Sequence, residues 1–166
     1  MSEVMLKRNI IVIDGPSECG KTSLCLHLVN QFKANYYHVN RIHEDVLGYF
    51  NGILDTVFTD IENWDSSFII ERFHVGEEVY ARIYGYTCPL DWRNFDAELK
   101  TRCENNNIKY TSIVTLPSDE SVVPEGEHEL YITYKDLYKG NTNLMYNYDY
   151  ITDPDYTEVD KFILGE

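Results

Sequence analysis

The feature that most constrains this chain is the segment at residues 15–22, which reads GPSECGKT and matches the pattern GxxxxGK[ST]. An unbroken run of β-branched residues at 10–13 precedes it, and apolar residues at helical spacing follow it over 24–32. A glycine-rich turn between a strand and a helix directs successive backbone N–H groups at one point, to which the helix N-terminus adds partial positive charge. In such a loop Lys21 contacts the β- and γ-phosphates of a nucleotide, and the Thr22 hydroxyl can bind Mg²⁺.

The segment therefore predicts a phosphate-binding loop, or P-loop. The alternative, an ordinary turn that contains glycine and lysine, requires neither the strand before it nor the helix after it. We expect the bound nucleotide to be held by Gly15, Pro16, Ser17, Glu18, Cys19, Gly20, Lys21, Thr22 and Ser23.

Short apolar runs and helical spacings alternate along the rest of the chain. We predict strands over residues 8–14, 36–39, 68–70, 110–116 and 150–152. We predict helices over residues 21–32, 46–57, 75–84, 92–106 and 157–164, the last of them capped by Asp155 or Thr157. This alternation predicts an α/β fold of the P-loop NTPase type, with a parallel β-sheet of about five strands and helices on both faces.

The length predicts a single domain over residues 1–166, built around the P-loop. Residues 117–140 contain two prolines, two glycines and a dense acidic run. We expect this segment to form a loop, a short helix or a mobile flap over the nucleotide.

Composition argues against several classes of protein. The net charge of −14, from 14 basic and 28 acidic residues, disfavours nucleic acid as a partner, because phosphate neutralisation dominates binding to a broad basic surface. No apolar stretch approaches the roughly 18 residues of a membrane span, and residues 1–7 lack the features of a signal peptide. We expect no membrane partner and a cytoplasmic location. The four cysteines lack zinc spacing, so we expect reduced, structural thiols.

Two segments resemble nucleotide kinases. Residues 13–17 and 19–23, IDGPS and CGKTS, resemble the start of nucleoside monophosphate kinases, the cytidylate kinases especially. Residues 68–80, FIIERFHVGEEVY, resemble a block of thymidylate kinases and phage deoxynucleoside monophosphate kinases, and deoxynucleoside kinases carry a related Glu-Arg-Ser. The resemblance covers residues 8–103 and extends by pattern to the ending at 150–164. It implies ATP-dependent phosphorylation of a (deoxy)nucleoside monophosphate to the diphosphate, with ATP and Mg²⁺ as cofactors.

The resemblance also implies a role for each matching residue. Lys21 and the loop amides hold the donor phosphates, and Thr22 and Glu71 bind the metal. Arg72 clamps the acceptor phosphate, since its planar guanidinium matches phosphate oxygens. The expected catalytic set is thus Lys21, Glu71 and Arg72. The residues expected around the acceptor are Arg41, Arg72, Phe73, Tyr80 and Arg82.

Each of these roles has a structural alternative. Glu71 and Arg72 also fit an ordinary ion pair at the end of a strand. Arg41 is equally consistent with a solvated side chain. Aromatic residues at helical spacing are more often part of a core than of a base-stacking site.

The chain departs from the resemblance in three places. Ser17 stands where thymidylate kinases place a carboxylate, and Glu18 stands where some of them place a catalytic arginine. The segment at 117–140 contains no arginine, and its cations are Lys135 and Lys139. An arginine on the transferring phosphate contributes about 10³ to 10⁵ in rate. Another arginine must therefore supply this charge, or turnover is slow, or catalysis has been lost; the candidates are Arg72, Arg82 and Arg93.

Two other functions therefore stay open beside the monophosphate kinase. One is a deoxynucleoside kinase, in which Glu71 or another carboxylate acts as base. The other is a nucleotide-binding regulatory protein that kept the fold. A GTPase is disfavoured because no NKxD follows a strand. The resemblance also allows a homodimer, and it makes a viral source, and hence the host cytoplasm, plausible.

Overall fold

The computed structural model describes residues 5–39 and 45–166. Its strands and helices are, in chain order, β1 (Asn9–Asp14), α1 (Lys21–Phe32), β2 (Asn35–His38), α2 (Val46–Trp64), β3 (Phe68–Glu71), α3 (His74–Tyr84), α4 (Trp92–Asn105), β4 (Lys109–Thr115), α5 (His128–Lys139), β5 (Tyr146–Tyr148) and α6 (Thr157–Leu164). The strands form one parallel sheet in the order β2-β3-β1-β4-β5. The predicted five-stranded α/β fold is confirmed.

The central strand β1 is buried on both faces of the sheet, which explains why its sequence lacks alternation. Its side chains nevertheless point to opposite faces in turn. Ile10 and Val12 pack with the first face, and Ile11 and Ile13 pack with the second. The carboxyl end of β1 therefore lies at the middle of the sheet edge, where ligands of parallel sheets bind.

Helices cover both faces of the sheet. The first face is covered by α2, α3, α4 and α5, and the second by α1 and α6. Among the described helices, none is both long enough and apolar enough to cross a bilayer.

Two predictions about the C-terminal third are wrong, and for residues 117–140 the structure supports the helix among the stated alternatives. The last strand is β5 at Tyr146–Tyr148, whereas residues 150–152 form a turn in which Asp149 accepts a hydrogen bond from the Ile151 backbone. The segment at 117–140 is mostly helix, because α5 buries Tyr131, Tyr134 and Leu137 at the i, i+3, i+6 spacing of one helix face. The first turn of α6 is held neither by Asp155 nor by Thr157.

The side chain that caps α6 is Asp153. Its carboxylate accepts hydrogen bonds from the backbone N–H groups of Glu158 at 3.1 Å and Val159 at 3.0 Å. Tyr156, which directly precedes the helix, has a left-handed φ of 60° and no capping side-chain bond. The chain therefore turns before α6 and brings an earlier acidic residue to the helix N-terminus.

Candidate nucleotide site

The loop at residues 15–22 connects β1 to α1 through two glycines that no other residue replaces easily. Gly15 has φ 155°, and a Cβ there would lie 2.2 Å from Thr115 Oγ1. Gly20 has φ 87° and directly precedes α1, where no side chain caps the helix. The backbone donors of the first turn of α1 are therefore open to an anion.

The side chain of Lys21 folds back across the phosphate-binding loop. Its side chain is buried, and its Nζ donates a hydrogen bond of 2.9 Å to the carbonyl of Gly15. Burial lowers the pKa of Lys21, and the neighbouring Arg72 lowers it further, whereas Asp14 and Glu71 oppose the shift. The lysine is thus held across the loop by a carbonyl and surrounded by both signs of charge.

Two cavities lie along the outer side of the loop. The loop cavity, of about 340 Å³, is lined by Ser17, Glu18, Gly20, Lys21, Thr22, Ser23 and Arg72. The tyrosine cavity, of about 300 Å³, is lined by Glu18, Gly20, Ser23, Tyr148, Tyr150, Pro154 and Tyr156. Because the two share Glu18, Gly20 and Ser23, they adjoin each other at the N-terminus of α1, and together we call them the outer groove.

A third cavity lies behind the loop on the first face of the sheet. This inner cavity is lined by Asp14, Lys21, Val39, Arg72, Phe73, Gly76, Glu77, Tyr80 and Tyr134. Its volume is about 20 Å³, which is room for about one water molecule. It shares Lys21 and Arg72 with the loop cavity, so these two cations separate the two spaces.

Arg72 reaches both cavities because of an unusual backbone conformation. It follows β3 directly and has φ 65°, a left-handed conformation that costs a non-glycine residue about 1–3 kcal/mol. Its backbone N–H donates to the carbonyl of Ile13 at 2.9 Å. Its Nε is buried and has no hydrogen-bond partner among the described residues. A guanidinium in this state is prepared to bind an anion.

Asp14 is a site residue that the sequence analysis did not identify. It ends β1 and is 2% exposed. Its Oδ1 accepts a hydrogen bond of 3.1 Å from the backbone N–H of Phe73, the residue directly before α3. Its Oδ2 is buried without a partner among the described residues. Burial raises the pKa of Asp14, and nearby His74 and Lys21 oppose this shift.

Glu71, which the sequence predicts as a metal ligand, ends β3 with both carboxylate oxygens in contact with neighbouring side chains. It is 1% exposed and faces the α1 side of the sheet, like Ile69 two residues before it. Its Oε2 lies 2.6 Å from His38 Nδ1, and its Oε1 accepts a hydrogen bond of 3.1 Å from the Tyr36 hydroxyl. Glu71 lines none of the three cavities above. Metal binding by Glu71 would require its release from His38.

The remaining predicted acceptor residues divide into three groups. Phe73 and Tyr80 line the inner cavity, as expected for residues that contact a ligand there. Arg82 pairs with Glu78 at 2.9 Å on the exposed side of α3 and lines none of the three cavities above. Arg41 lies outside the described residues. Tyr134 of α5 also lines the inner cavity. No motif in the sequence predicts this role for Tyr134.

The fit of a magnesium ion rests on Thr22. Its side chain is exposed at the start of α1, beside the loop cavity. Within residues 5–39 and 45–166, no group of three acidic, histidine or cysteine side chains could hold a metal ion. Magnesium at nucleotide sites is usually held by one or two protein oxygens together with substrate phosphates, and Thr22 fits that arrangement.

Comparison with known proteins identifies the fold and no sequence family. No protein-family model matches the chain, and no curated protein sequence matches it. Among solved structures it is similar to the YorR protein from Bacillus subtilis, solved in complex with phosphorylated GDP, with a TM-score of 0.56, 18% identity, and coverage of 84% of this chain and 85% of that one.

Two further structures are similar at lower scores. Thymidylate kinase from Ehrlichia chaffeensis has a TM-score of 0.46 and 13% identity over 97% of this chain and 99% of that one. The protein APE1195 has a TM-score of 0.44 and 14% identity over 85% and 74%. The sheet order, the loop geometry and the likeness to YorR together identify an α/β P-loop fold.

Proposed function

We propose that the protein transfers a phosphoryl group from ATP to a (deoxy)nucleoside monophosphate and so forms the diphosphate. The observation that carries this proposal is that Lys21 and Arg72 line both the loop cavity and the inner cavity. Phosphoryl transfer needs a donor and an acceptor held in line with positive charge between them, and little covalent chemistry from the protein. Two cations between two adjoining cavities supply that arrangement.

The donor would occupy the outer groove. Its phosphates would contact the loop amides and Lys21, and its base would extend into the tyrosine cavity. There the partly exposed Tyr150 ring lies beside Gly20, next to Tyr156, which is itself stacked on His27 with ring centroids 4.0 Å apart. Aromatic rings favour offset stacking with a nucleobase. Thr22 would hold Mg²⁺, which would neutralise phosphate charge when bound with the nucleotide.

The acceptor would enter the inner cavity, where Arg72 would bind its phosphate. This cavity must widen, since its present volume admits only about one water molecule. Arg72, Glu77 and Tyr80 are the lining residues that remain partly exposed, so we expect the opening on their side. Because Lys21 lines both cavities, a phosphate bound by Arg72 in the inner cavity would lie close to Lys21.

A second candidate function is a nucleoside kinase, and Asp14 is the observation that favours it. A nucleoside acceptor presents a neutral 5′-hydroxyl that needs a base, whereas a monophosphate does not. Asp14 has an unpartnered carboxyl oxygen in the inner cavity. Glu71, whose two oxygens contact Tyr36 and His38, is less suited to that role.

One assay separates these functions. The protein is incubated with ATP, Mg²⁺ and, in turn, each common nucleoside monophosphate, deoxynucleoside monophosphate and nucleoside, and ADP release is measured. Release that depends on a monophosphate supports the proposal, and release that depends on a nucleoside supports the second candidate. Saturable ATP binding without acceptor-dependent release would refute both and indicate a regulatory nucleotide-binding protein.

Two variants and one control assign the cations. Lys21→Ala should abolish turnover, and Arg72→Ala should raise the acceptor KM and lower kcat. Arg102→Ala removes an exposed arginine that pairs with Asp55 on the helical surface and should change neither. An Arg72→Ala variant with unchanged kinetics would show that the shared wall is not where transfer occurs.

A further inference from the structure

A fourth cavity, the largest described, lies away from the loop and has no part in the proposed transfer. This distal cavity has a volume of about 460 Å³, within the usual range of small-molecule sites. It is bordered by the first half of β4, by the chain between α5 and β5, and by side chains of α4 and α6. Strand β4 begins at Lys109, but its pairing with β5 begins only at Ile113 and Tyr146. The cavity lies beside the part of β4 that precedes this pairing.

The wall of the distal cavity contains buried polar side chains. Asp96, Thr111 and Ser112 line it and are each less than 9% exposed. Backbone groups in the first half of β4 have no strand beside them on this side within the described sheet. Such an edge offers N–H donors and C=O acceptors in a row. A ligand here would meet donors and acceptors spaced along a strand.

Asp96 places a buried carboxyl group in the wall of the cavity. Its Oδ1 accepts hydrogen bonds from the Tyr110 hydroxyl and, at 2.8 Å, from His74 Nε2. Both bonds use the same oxygen, so Oδ2 is the atom left for an occupant of the cavity. Burial and the adjacent Asp96 carboxylate raise the pKa of Tyr110 well above its usual range, which keeps the hydroxyl protonated and donating.

The remaining lining supplies an aromatic surface and positive charge. Tyr146 and Phe162 form a stacked pair with centroids 4.3 Å apart, and Tyr138 lines the same space. Lys100 and Lys109 also line it, which is notable in a chain with 14 basic residues and 28 acidic ones. Lys109 Nζ already donates a hydrogen bond of 2.7 Å to the carbonyl of Ile163, so Lys100 is the cation for a phosphate. A stacking surface, a carboxylate acceptor for N–H groups and a lysine for phosphate are together the chemistry of nucleotide recognition.

We propose that the distal cavity is a second nucleotide site, in which Asp96 Oδ2 and the free edge of β4 bind the N–H edge of a base and Lys100 contacts a phosphate. This site takes a nucleoside phosphate as effector rather than as substrate, because it contains neither the loop nor Arg72. It is independent of the proposed reaction and would exist in a regulatory protein as well.

A buried path connects this site to the inner cavity. Asp96 bonds to His74, the first residue of α3, and α3 begins directly after Arg72 and Phe73. Beside the same end of α3, Asp14 accepts a hydrogen bond from the backbone N–H of Phe73. An effector that draws Asp96 toward the distal cavity would therefore act on the helix end that forms one wall of the inner cavity. Reciprocal coupling between the two ligands follows.

The test is a binding experiment with site-blocking variants. ATP, the four deoxynucleoside triphosphates and the matching nucleosides are titrated into the wild-type protein, and stoichiometry and affinity are measured at equilibrium. Asn143→Trp places an indole at the exposed rim of the distal cavity, and Lys100→Glu reverses a cation there. Asn63→Trp, on an exposed position of α2, is the matched control.

We expect the wild-type protein and the Asn63→Trp control to bind one more equivalent of a nucleoside phosphate than Asn143→Trp does. Lys100→Glu should weaken this extra equivalent about tenfold and leave the matching nucleoside unchanged. Lys21→Ala, which damages the loop, should retain it. Equal stoichiometry and affinity in Asn143→Trp, Asn63→Trp and wild-type protein would overturn the proposal.

The outcomes also separate this inference from the proposed function. Because binding is measured without turnover, an extra equivalent in a protein that lacks kinase activity would support the second site and refute the kinase. Acceptor-dependent turnover with no extra equivalent would do the reverse. Coupling is tested last: saturating effector should shift the acceptor affinity of wild-type protein, and not that of Asn143→Trp.

Discussion

Gly76 offers the sharpest test of the inner cavity, because one added methyl group would fill it. Gly76 lies in the first turn of α3 with an ordinary helical backbone. A Cβ at this position would lie 2.8 Å from Asp14 Oδ1 and 3.1 Å from the Tyr134 hydroxyl oxygen. Both distances are shorter than normal carbon–oxygen contacts, and both neighbours are buried. Gly76→Ala must therefore displace Asp14, Tyr134 or α3 itself.

The expected effects on stability and on function differ in size. Overpacking costs about 1–3 kcal/mol, and replacing glycine by alanine in a helix returns about 1 kcal/mol. We expect a net loss of free energy of unfolding of about 0–2 kcal/mol. The cavity of about 20 Å³ loses its free space, so the acceptor kcat/KM should fall at least ~100-fold, which is about 2.7 kcal/mol. ATP affinity should be unchanged.

The control is Gly52→Ala in α2, where nothing lies within 4 Å of the added Cβ. It should gain up to about 1 kcal/mol and leave kinetics untouched. Urea denaturation gives the two stabilities, ADP release gives the acceptor kcat/KM, and equilibrium titration gives ATP affinity. If Gly76→Ala turned over acceptor like wild-type protein, the acceptor would not use the inner cavity, and the roles given to Phe73 and Tyr80 would fail with it.

Three further outcomes follow from the buried polar groups. Burial raises the pKa of Asp14, so the native state holds its proton to higher pH than the unfolded chain does, and stability falls as pH rises from the usual carboxyl pKa through the raised one. Asp14→Asn, which keeps an acceptor oxygen for the Phe73 N–H, should therefore melt higher than wild-type protein at pH 7 and equally at about pH 3; a lower melting temperature at pH 7 would contradict this. Burial raises the pKa of Cys19 to about 11, so iodoacetamide at pH 8 should leave Cys19 unlabelled in folded protein and label the less buried Cys88 first, as mass spectrometry of peptides would show. His38→Ala leaves the buried Glu71 carboxylate without its 2.6 Å contact and should cost about 1–3 kcal/mol in urea denaturation, with partial recovery in His38→Gln; an unchanged midpoint would show that Tyr36 alone satisfies Glu71.

The sequence predicts the centre of the fold better than its edge. Residues 10–13 are β-branched throughout, and such a run has few alternatives to a strand buried on both faces. Strand β5 has only three residues and alternates tyrosine with asparagine, so its burial depends on α6 and β4 rather than on its own pattern. The run at 150–152 looks more like a strand, but Asp149 holds it in a turn.

The sequence leaves helix α5 as one of three alternatives for residues 117–140, because proline and glycine precede it. Its own residues, His128–Lys139, carry a buried face of two tyrosines and a leucine. Tyrosine is a weak helix signal, and the acidic run beside it suggested solvent. The packing of α5 against α3 decides its structure, and that contact is not visible in either segment alone.

The site divides in the same way. Motif spacing fixes Gly15, Gly20 and Lys21, since the loop works through local backbone geometry. Tyr80 and Arg82 were both assigned to the acceptor, although residues two apart on a helix point in opposite directions, and Arg82 accordingly pairs with Glu78 on the outer side. Asp14 and Tyr134 converge from distant elements, and Asp14 matters because one oxygen lacks a partner, which no sequence pattern records.

The distribution of charge makes a loop with Glu18 compatible with the proposed phosphoryl transfer. Glu18 is exposed, with φ 58°, so water screens its repulsion of a bound phosphate. The segment that would carry lid arginines in the resembled family forms α5, which contributes Tyr134 to the inner cavity and no cation. Within the described residues, the cations that line the loop and inner cavities are Lys21 and Arg72. If a second arginine contacted the transferring phosphate, it would partly compensate for the removal of the Arg72 side chain, and kcat would fall less. Among the residues that line the cavities described here, Arg72 is the only arginine, so Arg72→Ala should show the full loss of about 10³-fold or more in kcat that a single transition-state arginine accounts for.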